Sequence, residues 1–334
     1  MNKKKKIIIT GGAGYIGSHC VISLVKNNYT PIILDNFSKS NLKVIKNLET
    51  ITKRKIIYHK IDIRDKKKVK LVFDKYYIES VIHCAGFKSV AESIEKPLNY
   101  FDNNIGSTLS LLECMQEKKI FNLIFSSSAT VYDPNQSFAI RENFKIGNTK
   151  NPYGGSKFII EKILNDLAKF DKKWSIGVLR YFNPIGNHFS GLISDNPIGI
   201  PQNLLPYIFQ VYKKKLPFLK IFGKNYNTKD GTCVRDYIHV EDLADGHVAM
   251  LKKNKIKKGL KIYNLGTGKG HTVLEVIKIF EKVFNKSIKY KFTNRREGDN
   301  AITFCNPSKA LKELNWKTLY NVEDAIKSLK KINL

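Results

Sequence analysis

Gly11, Gly14 and Gly17 follow a β-branched run, Ile7-Ile8-Ile9-Thr10, and precede an apolar helical pattern over residues 14–26. A strand that ends in spaced glycines and opens a helix constrains the fold, because the backbone must turn sharply there and the helix must pack close to the strand. The helix start formed in this way presents free N–H groups and the positive end of its dipole, which suits a pyrophosphate. Asp35 closes the next apolar run 18 residues after Gly17, close to the spacing at which an acid meets an adenosine ribose. Its charge would repel a 2′-phosphate, so the turn predicts NAD rather than NADP as cofactor. Asp62 and Lys88, which follow the third and fourth predicted strands, are placed for the adenine edge and the nicotinamide ribose.

Residues 6–10, 31–35, 55–61, 80–85, 122–127 and 174–181 read as buried strands, with helical segments between them, among them 97–118 and one opening near Pro152. Such alternation predicts an α/β fold, a Rossmann-type doubly wound parallel sheet covered by helices on both faces. Beyond it, residues 183–202 are rich in Asn, Gly, Pro and Ser and read as one long ordered loop. Later segments read as helix 240–252, strand 261–265, helix 272–284 and closing helices 307–314 and 322–330. The expected division is an NAD-binding part over residues 1–182 that carries the reactive side chains, and a smaller mixed α/β part over 183–334, mainly for substrate. Residues from about 236 to 265 are expected to return to the first part.

The formal charge of +29 raises the question of a polyanion partner, but arginine supplies only seven of the 58 basic residues and the lysines spread along the whole chain. No nucleic-acid partner is therefore predicted. No apolar run approaches the roughly 20 residues that span a bilayer, and Ile7-Ile8-Ile9 is too short for a signal peptide. No membrane partner and a cytoplasmic location are the expectations. Five cysteines without a Cys-x-x-Cys pair suggest neither disulfides nor zinc, so no metal is expected. His188, His239 and His247 have no carboxylate or cysteine cluster around them in the sequence and read as core or surface histidines.

Tyr153 and Lys157 stand four apart where the helix after the fifth strand should begin. Residues at that spacing stack on one helix face, and an ammonium beside a phenol favours the phenolate. Ser128 lies in the segment Ser126-Ser127-Ser128-Ala129-Thr130, at the strand end where such folds bind ligands. In these segments, and in residues 10–19, 180–186, 231–240 and 295–299, the chain resembles the UDP-glucose 4-epimerases of the extended short-chain dehydrogenase/reductase family, a likeness that covers nearly its whole length.

The resemblance implies a reaction and a set of site residues. Tyr153 would take the proton of the sugar 4-hydroxyl as hydride leaves C4 for tightly bound NAD, Ser128 would bond the same oxygen, and Lys157 would hold the nicotinamide ribose. The transient 4-keto sugar would rotate and take hydride back on its other face, interconverting UDP-glucose and UDP-galactose. The resemblance adds Tyr15, Ile16, Asn36, Ile63 and Asn103 to the cofactor contacts, and it places Asn183, Asn203, Arg235, Arg296 and Asp299 around the UDP moiety. Two arginines can neutralise a diphosphate, and a carboxylate can accept from a ribose hydroxyl. A homodimer through the helices near 97–118 and 152–169 is also implied.

Some positions depart from the family pattern. Asp133 and Ser107 stand where glycine is usual, and neither is expected to touch a reacting group. Thr303 replaces the bulky tyrosine that many bacterial members carry near the sugar pocket, so UDP-N-acetylglucosamine and UDP-N-acetylgalactosamine are expected as further substrates. One rival is a nucleotide-sugar 4,6-dehydratase, which needs an acid pair directly after the strand-five Ser or Thr; Ala129 and Thr130 supply none. A non-catalytic NAD-binding protein would need only the cofactor turn, and an intact Ser128, Tyr153 and Lys157 weigh against it.

Overall fold

The structure, a computed structural model, describes residues 6–134, 139–195, 199, 201–254, 258–296 and 299–332. Six strands alternate with helices in its first half: β1 (Lys6–Thr10), β2 (Thr30–Asp35), β3 (Ile57–Lys60), β4 (Ile78–His83), β5 (Asn122–Ser126) and β6 (Ser175–Tyr181). Between them run α1 (Tyr15–Lys26), α2 (Lys43–Thr52), α3 (Lys66–Lys75), α4 (Val90–Glu95), α5 (Pro97–Phe101), α6 (Ser107–Glu117) and α7 (Pro152–Phe170). The second half contains β7 (Asn183–Ile185), α8 (Leu204–Tyr212), β8 (Leu219–Phe222), β9 (Val234–His239), α9 (Val240–Asn254) and β10 (Gly259–Leu265). It ends with β11 (Gly270–Thr272), α10 (Val273–Phe284), β12 (Tyr290–Thr293), β13 (Ile302–Thr303), α11 (Ser308–Leu314) and α12 (Val322–Ser328).

The main sheet has seven parallel strands in the order β3-β2-β1-β4-β5-β6-β10. Successive side chains of a strand point to opposite faces. Ile7 and Ile9 therefore pack with α1, α2 and α9, while Ile8 packs with α3, α6 and α7. Both faces are covered, which is why β1 is a continuous apolar run rather than an alternating one. The sheet order reverses between β1 and β4, and the carboxyl ends of these two strands flank a crevice.

A smaller mixed assembly continues the chain. β11, β9 and β13 form one sheet, with β7 on the far side of β9, and β12 pairs β8. Its core draws on Leu205, Ile208, Ile221, Val276, Phe280 and Ile326. β9 belongs to this assembly, yet α9 packs on α1 and β10 joins the main sheet beside β6.

Some local expectations are corrected. The helix over 97–118 is interrupted by a π turn at Asp102–Gly106, a feature that often accompanies functional sites. Residues 183–202 do not form one loop, because Asn183–Ile185 pairs with Tyr237–His239; a three-residue strand carries no readable period. Residues 329–331 form a 3-10 turn rather than the end of the last helix.

Candidate active site

The crevice at the switch point is lined by Gly11, Gly14, Asp35, Asn36, Asp62, Ile63, Cys84, Asn103 and Ser107, among others. Gly11 has φ +65°, and a Cβ there would lie 2.8 Å from the Ala85 backbone. A Cβ on Gly17 would lie 2.1 Å from the Gly11 carbonyl oxygen, so the third glycine allows helix to meet turn. Gly14 caps α1 with no side-chain hydrogen bond, leaving the first turn open to an anion. This bare cradle, with Asp35 beyond it, fits the pyrophosphate and ribose of a dinucleotide.

Asp35 also fixes the cradle. Its Oδ2 accepts from Ala13 N at 3.0 Å, and its Oδ1 accepts from Phe37 N at 2.8 Å and from Ser40 Oγ at 3.1 Å. Asn36 donates to Asp62 at 3.3 Å. Arg64, which also reaches Asp102, holds the Asp62 carboxyl down to about 2. Asn103 donates to Asn104 at 3.0 Å in the π turn. Ser107, expected to touch no reacting group, stands on the crevice wall, where the π turn brings it.

Tyr15, Ile16, Gly17, Lys88, Tyr153 and Lys157 lie outside that lining. Ile16 packs against the β1 core. Tyr15 donates to the Gly186 carbonyl at 2.6 Å. Lys88 pairs with Asp195 at 3.1 Å and lies 5.2 Å from the Tyr15 ring.

Asn151 caps α7 by accepting from Gly154 N at 2.9 Å, and Pro152 occupies the first turn. The first turn of α7 thereby meets the end of β5, and one helix face engages three consecutive serines. Ser128 lies close enough to Tyr153 to draw its phenol pKa down. Lys157 Nζ donates to the Ser126 carbonyl at 2.9 Å, and Ser127 Oγ donates to Glu161 at 2.5 Å. Ser128 Oγ accepts from Thr130 N at 3.2 Å and from Thr130 Oγ1 at 3.0 Å. Its own proton remains free to be donated.

Burial raises the Tyr153 phenol, and only Ser128 works against this. Burial lowers the Lys157 ammonium to about 8, with Cys84 and Glu161 opposing. The Lys157 ammonium faces the Ser126 carbonyl and the Phe125 ring, 4.7 Å from its centre.

Behind this face lies a polar network that the sequence did not reveal. Glu161 takes Arg180 in a buried pair, with Nη2 to Oε2 at 2.6 Å; Arg180 lies 4.8 Å from the centre of the Tyr132 ring and donates to the Glu142 carbonyl. Asn104 accepts from Phe87 N and donates to Ser156, tying the chain after β4 to α7. The eight-residue step from Tyr153 to Glu161 was a visible signal, since it continues the stripe. The partners on β5 and β6 were not, because they depend on strand register.

In the smaller assembly, Arg235 donates to Asp299 at 3.2 Å and to the Asn300 carbonyl at 2.8 Å. The Arg296 guanidinium lies 3.8 Å from the Phe222 ring centre; burial lowers its pKa, and Asp299 opposes this. Thr303 pairs in register with Arg235. Asn203 donates to Asp195 at 3.3 Å, and Asn183 opens β7. Glu297 and Gly298, within the matching segment 295–299, lie outside the described residues. Asp133 donates its backbone N–H to Lys145, a local turn contact.

His239 and His247 are buried core histidines, as expected, but His247 converges with Cys20 and Cys84, and His188 lies 3.6 Å from Glu241. Chain separations of more than 50 residues hid both groupings from the sequence. Among the described residues no helix is long and apolar enough to cross a membrane.

Residues 7–266 match the model of the NAD dependent epimerase/dehydratase family. The chain is 50% identical over 320 residues to a UDP-glucose 4-epimerase of Dictyostelium discoideum, covering 96% of this chain and 93% of that one. A solved UDP-glucose-4-epimerase from Stenotrophomonas maltophila, with bound NAD and formylated UDP-arabinopyranose, is similar with a TM-score of 0.96 and 40% identity over 98% of this chain and 97% of that one. The UDP-glucose 4-epimerase of Bifidobacterium longum, in complex with NAD+ and UDP, gives 0.94 and 45% identity, with 98% of each chain covered.

Proposed function

Since the chain belongs to the NAD dependent epimerase/dehydratase family, we propose that it interconverts UDP-glucose and UDP-galactose by inverting C4 through a transient 4-keto sugar. The observation that carries this reading is the tie between the α7 face of Tyr153 and the end of β5 through the Lys157–Ser126 bond, with Ser128 followed by Ala129 and Thr130 rather than an acid pair. Dehydration lacks its proton donors there; epimerisation needs none beyond the tyrosine.

Bound NAD supplies the reversible hydride acceptor that no side chain can provide. Gly11, Gly14, Gly17 and the open start of α1 would hold its pyrophosphate, Asp35 its ribose, and Asn36, Asp62, Ile63 and Asn103 the crevice wall around it, with Tyr15, Ile16 and Lys88 nearby. Tyr153 moves the proton of the sugar 4-hydroxyl. Ser128 donates to the phenol oxygen and so stabilises its phenolate, and Lys157 holds the floor beneath both through Ser126. Arg235 and Arg296 offset the diphosphate charge, Asp299 accepts from the ribose, and Asn183 and Asn203 orient the nucleotide. In this reading residues 1–182 serve the cofactor and 183–334 mainly the UDP-sugar.

Thr303 leaves less bulk than a tyrosine beside Arg235, which favours N-acetylated UDP-sugars as additional substrates. Leu98, 80% exposed, and Ile94, 62% exposed, stand with Leu109 and Ile159 on α4–α7 and support a homodimer through that face. Five unpaired thiols support a cytoplasmic setting. Incubation of purified protein with UDP-galactose and no added NAD should yield UDP-glucose. No product even after NAD is supplied defeats the proposal.

A further inference from the structure

We propose that Cys20, Cys84 and His247 form a binding site for a thiophilic d10 cation of the zinc class at the floor of the crevice. The two sulfurs and an imidazole nitrogen lie within 4.8 Å of one another. They come from α1, the end of β4 and α9, so the cluster exists only in the folded chain. Two thiolates and one imidazole are a donor set that zinc accepts, with a further position left for oxygen.

The imidazole is oriented for this task. His247 Nδ1 lies 2.8 Å from the Leu243 carbonyl. A carbonyl can only accept, so Nδ1 carries the proton and, in the neutral ring, Nε2 keeps a free lone pair. A backbone carbonyl that fixes the tautomer in this way is the usual support of a metal-binding histidine. Nε2 now accepts from Ser126 Oγ at 2.9 Å, and a hydroxyl can rotate aside or supply the oxygen ligand.

The surroundings favour metal over an inert thiol pair. Cys20 and His247 are buried, but Cys84 lines the crevice and gives the ion its route of entry. Binding a divalent ion displaces one proton from each thiol to solvent, and the two thiolates balance its charge.

The test uses the purified protein with its retained nucleotide, treated with chelator and then titrated with Co2+ and Zn2+. One Co2+ per chain should bind with thiolate-to-cobalt charge-transfer absorption, and Zn2+ should displace it. Cys20→Ser and Cys84→Ser should each weaken uptake at least tenfold, while Cys114→Ser, which alters a thiol outside the cluster, should leave it unchanged. In the unmodified protein, freed of nucleotide so that the crevice is open, Zn2+ should slow alkylation of Cys84 by iodoacetamide, a readout that needs no variant to fold. Absence of stoichiometric uptake, uptake that survives both substitutions, or unchanged Cys84 alkylation would overturn the site. None of these readouts depends on turnover, so failure here leaves the proposed epimerisation standing.

Discussion

Lys157 Nζ donates to the carbonyl oxygen of Ser126 at 2.9 Å. The bond ties the second turn of α7 to the last residue of β5, two positions before Ser128. Together with the Ser127–Glu161 bond at 2.5 Å, it sets Tyr153 against Ser128 by holding strand and helix in one register. Positions held by packed elements are more reproducible than positions on loops.

Tyr153→Phe removes the proton acceptor and leaves the glycine cradle intact. Turnover of UDP-galactose should fall by about 10²–10⁴-fold, the usual worth of a positioned acid or base. Nucleotide released on denaturing the variant should still approach one NAD per chain. Loss of NAD together with activity would assign Tyr153 to cofactor retention instead.

Glu161→Gln leaves Arg180 buried without its counter-charge. Breaking one partner of a buried pair costs about 3–5 kcal/mol, so the urea midpoint should drop clearly. Pairing Glu161→Gln with Arg180→Met should recover much of that loss. Equal instability of the single and double variants would show that the charge is not what matters.

The pH dependence of stability follows from Lys157. Its folded value is about 8 against an ordinary 10.5, so between these pH values the unfolded chain holds the proton that the folded chain has released. Stability from this group therefore rises with pH through that window, and below pH 8 burial of the ammonium is a standing cost. Urea midpoints measured from pH 7 to 10.5 should rise less steeply in Lys157→Met than in the unmodified protein. The same deprotonation should weaken the hold on Ser126 and give turnover an alkaline limb near 8.

Arg296→Ala should act on binding rather than on proton transfer. Losing one charge-assisted contact, worth about 1.5–3 kcal/mol, should raise KM for UDP-galactose roughly 10–150-fold with a smaller change in kcat. Thr303→Tyr should abolish turnover of UDP-N-acetylglucosamine while sparing UDP-galactose. Indifference of both substrates to that change would remove Thr303 from specificity.

Elements whose signal is local were legible in the chain before any packing was known. Gly11, Gly14 and Gly17 specify their turn because no side chain fits beside the Ala85 backbone or the Gly11 carbonyl, and the Ile7–Ile9 run announced a strand covered on both faces. Tyr153 and Lys157 were legible because helical spacing alone puts them on one face. Tertiary structure decided everything that depends on which strand lies beside which. Glu161 is 19 residues from Arg180, and Cys20 is more than 60 from Cys84, yet parallel pairing of β1 with β4 and of β5 with β6 brings the strand ends together. Helical spacing puts Tyr153 and Lys157 on one face, but the partner that Lys157 takes there, the Ser126 carbonyl, comes from the neighbouring strand end, which only the packing of α7 on β5 supplies.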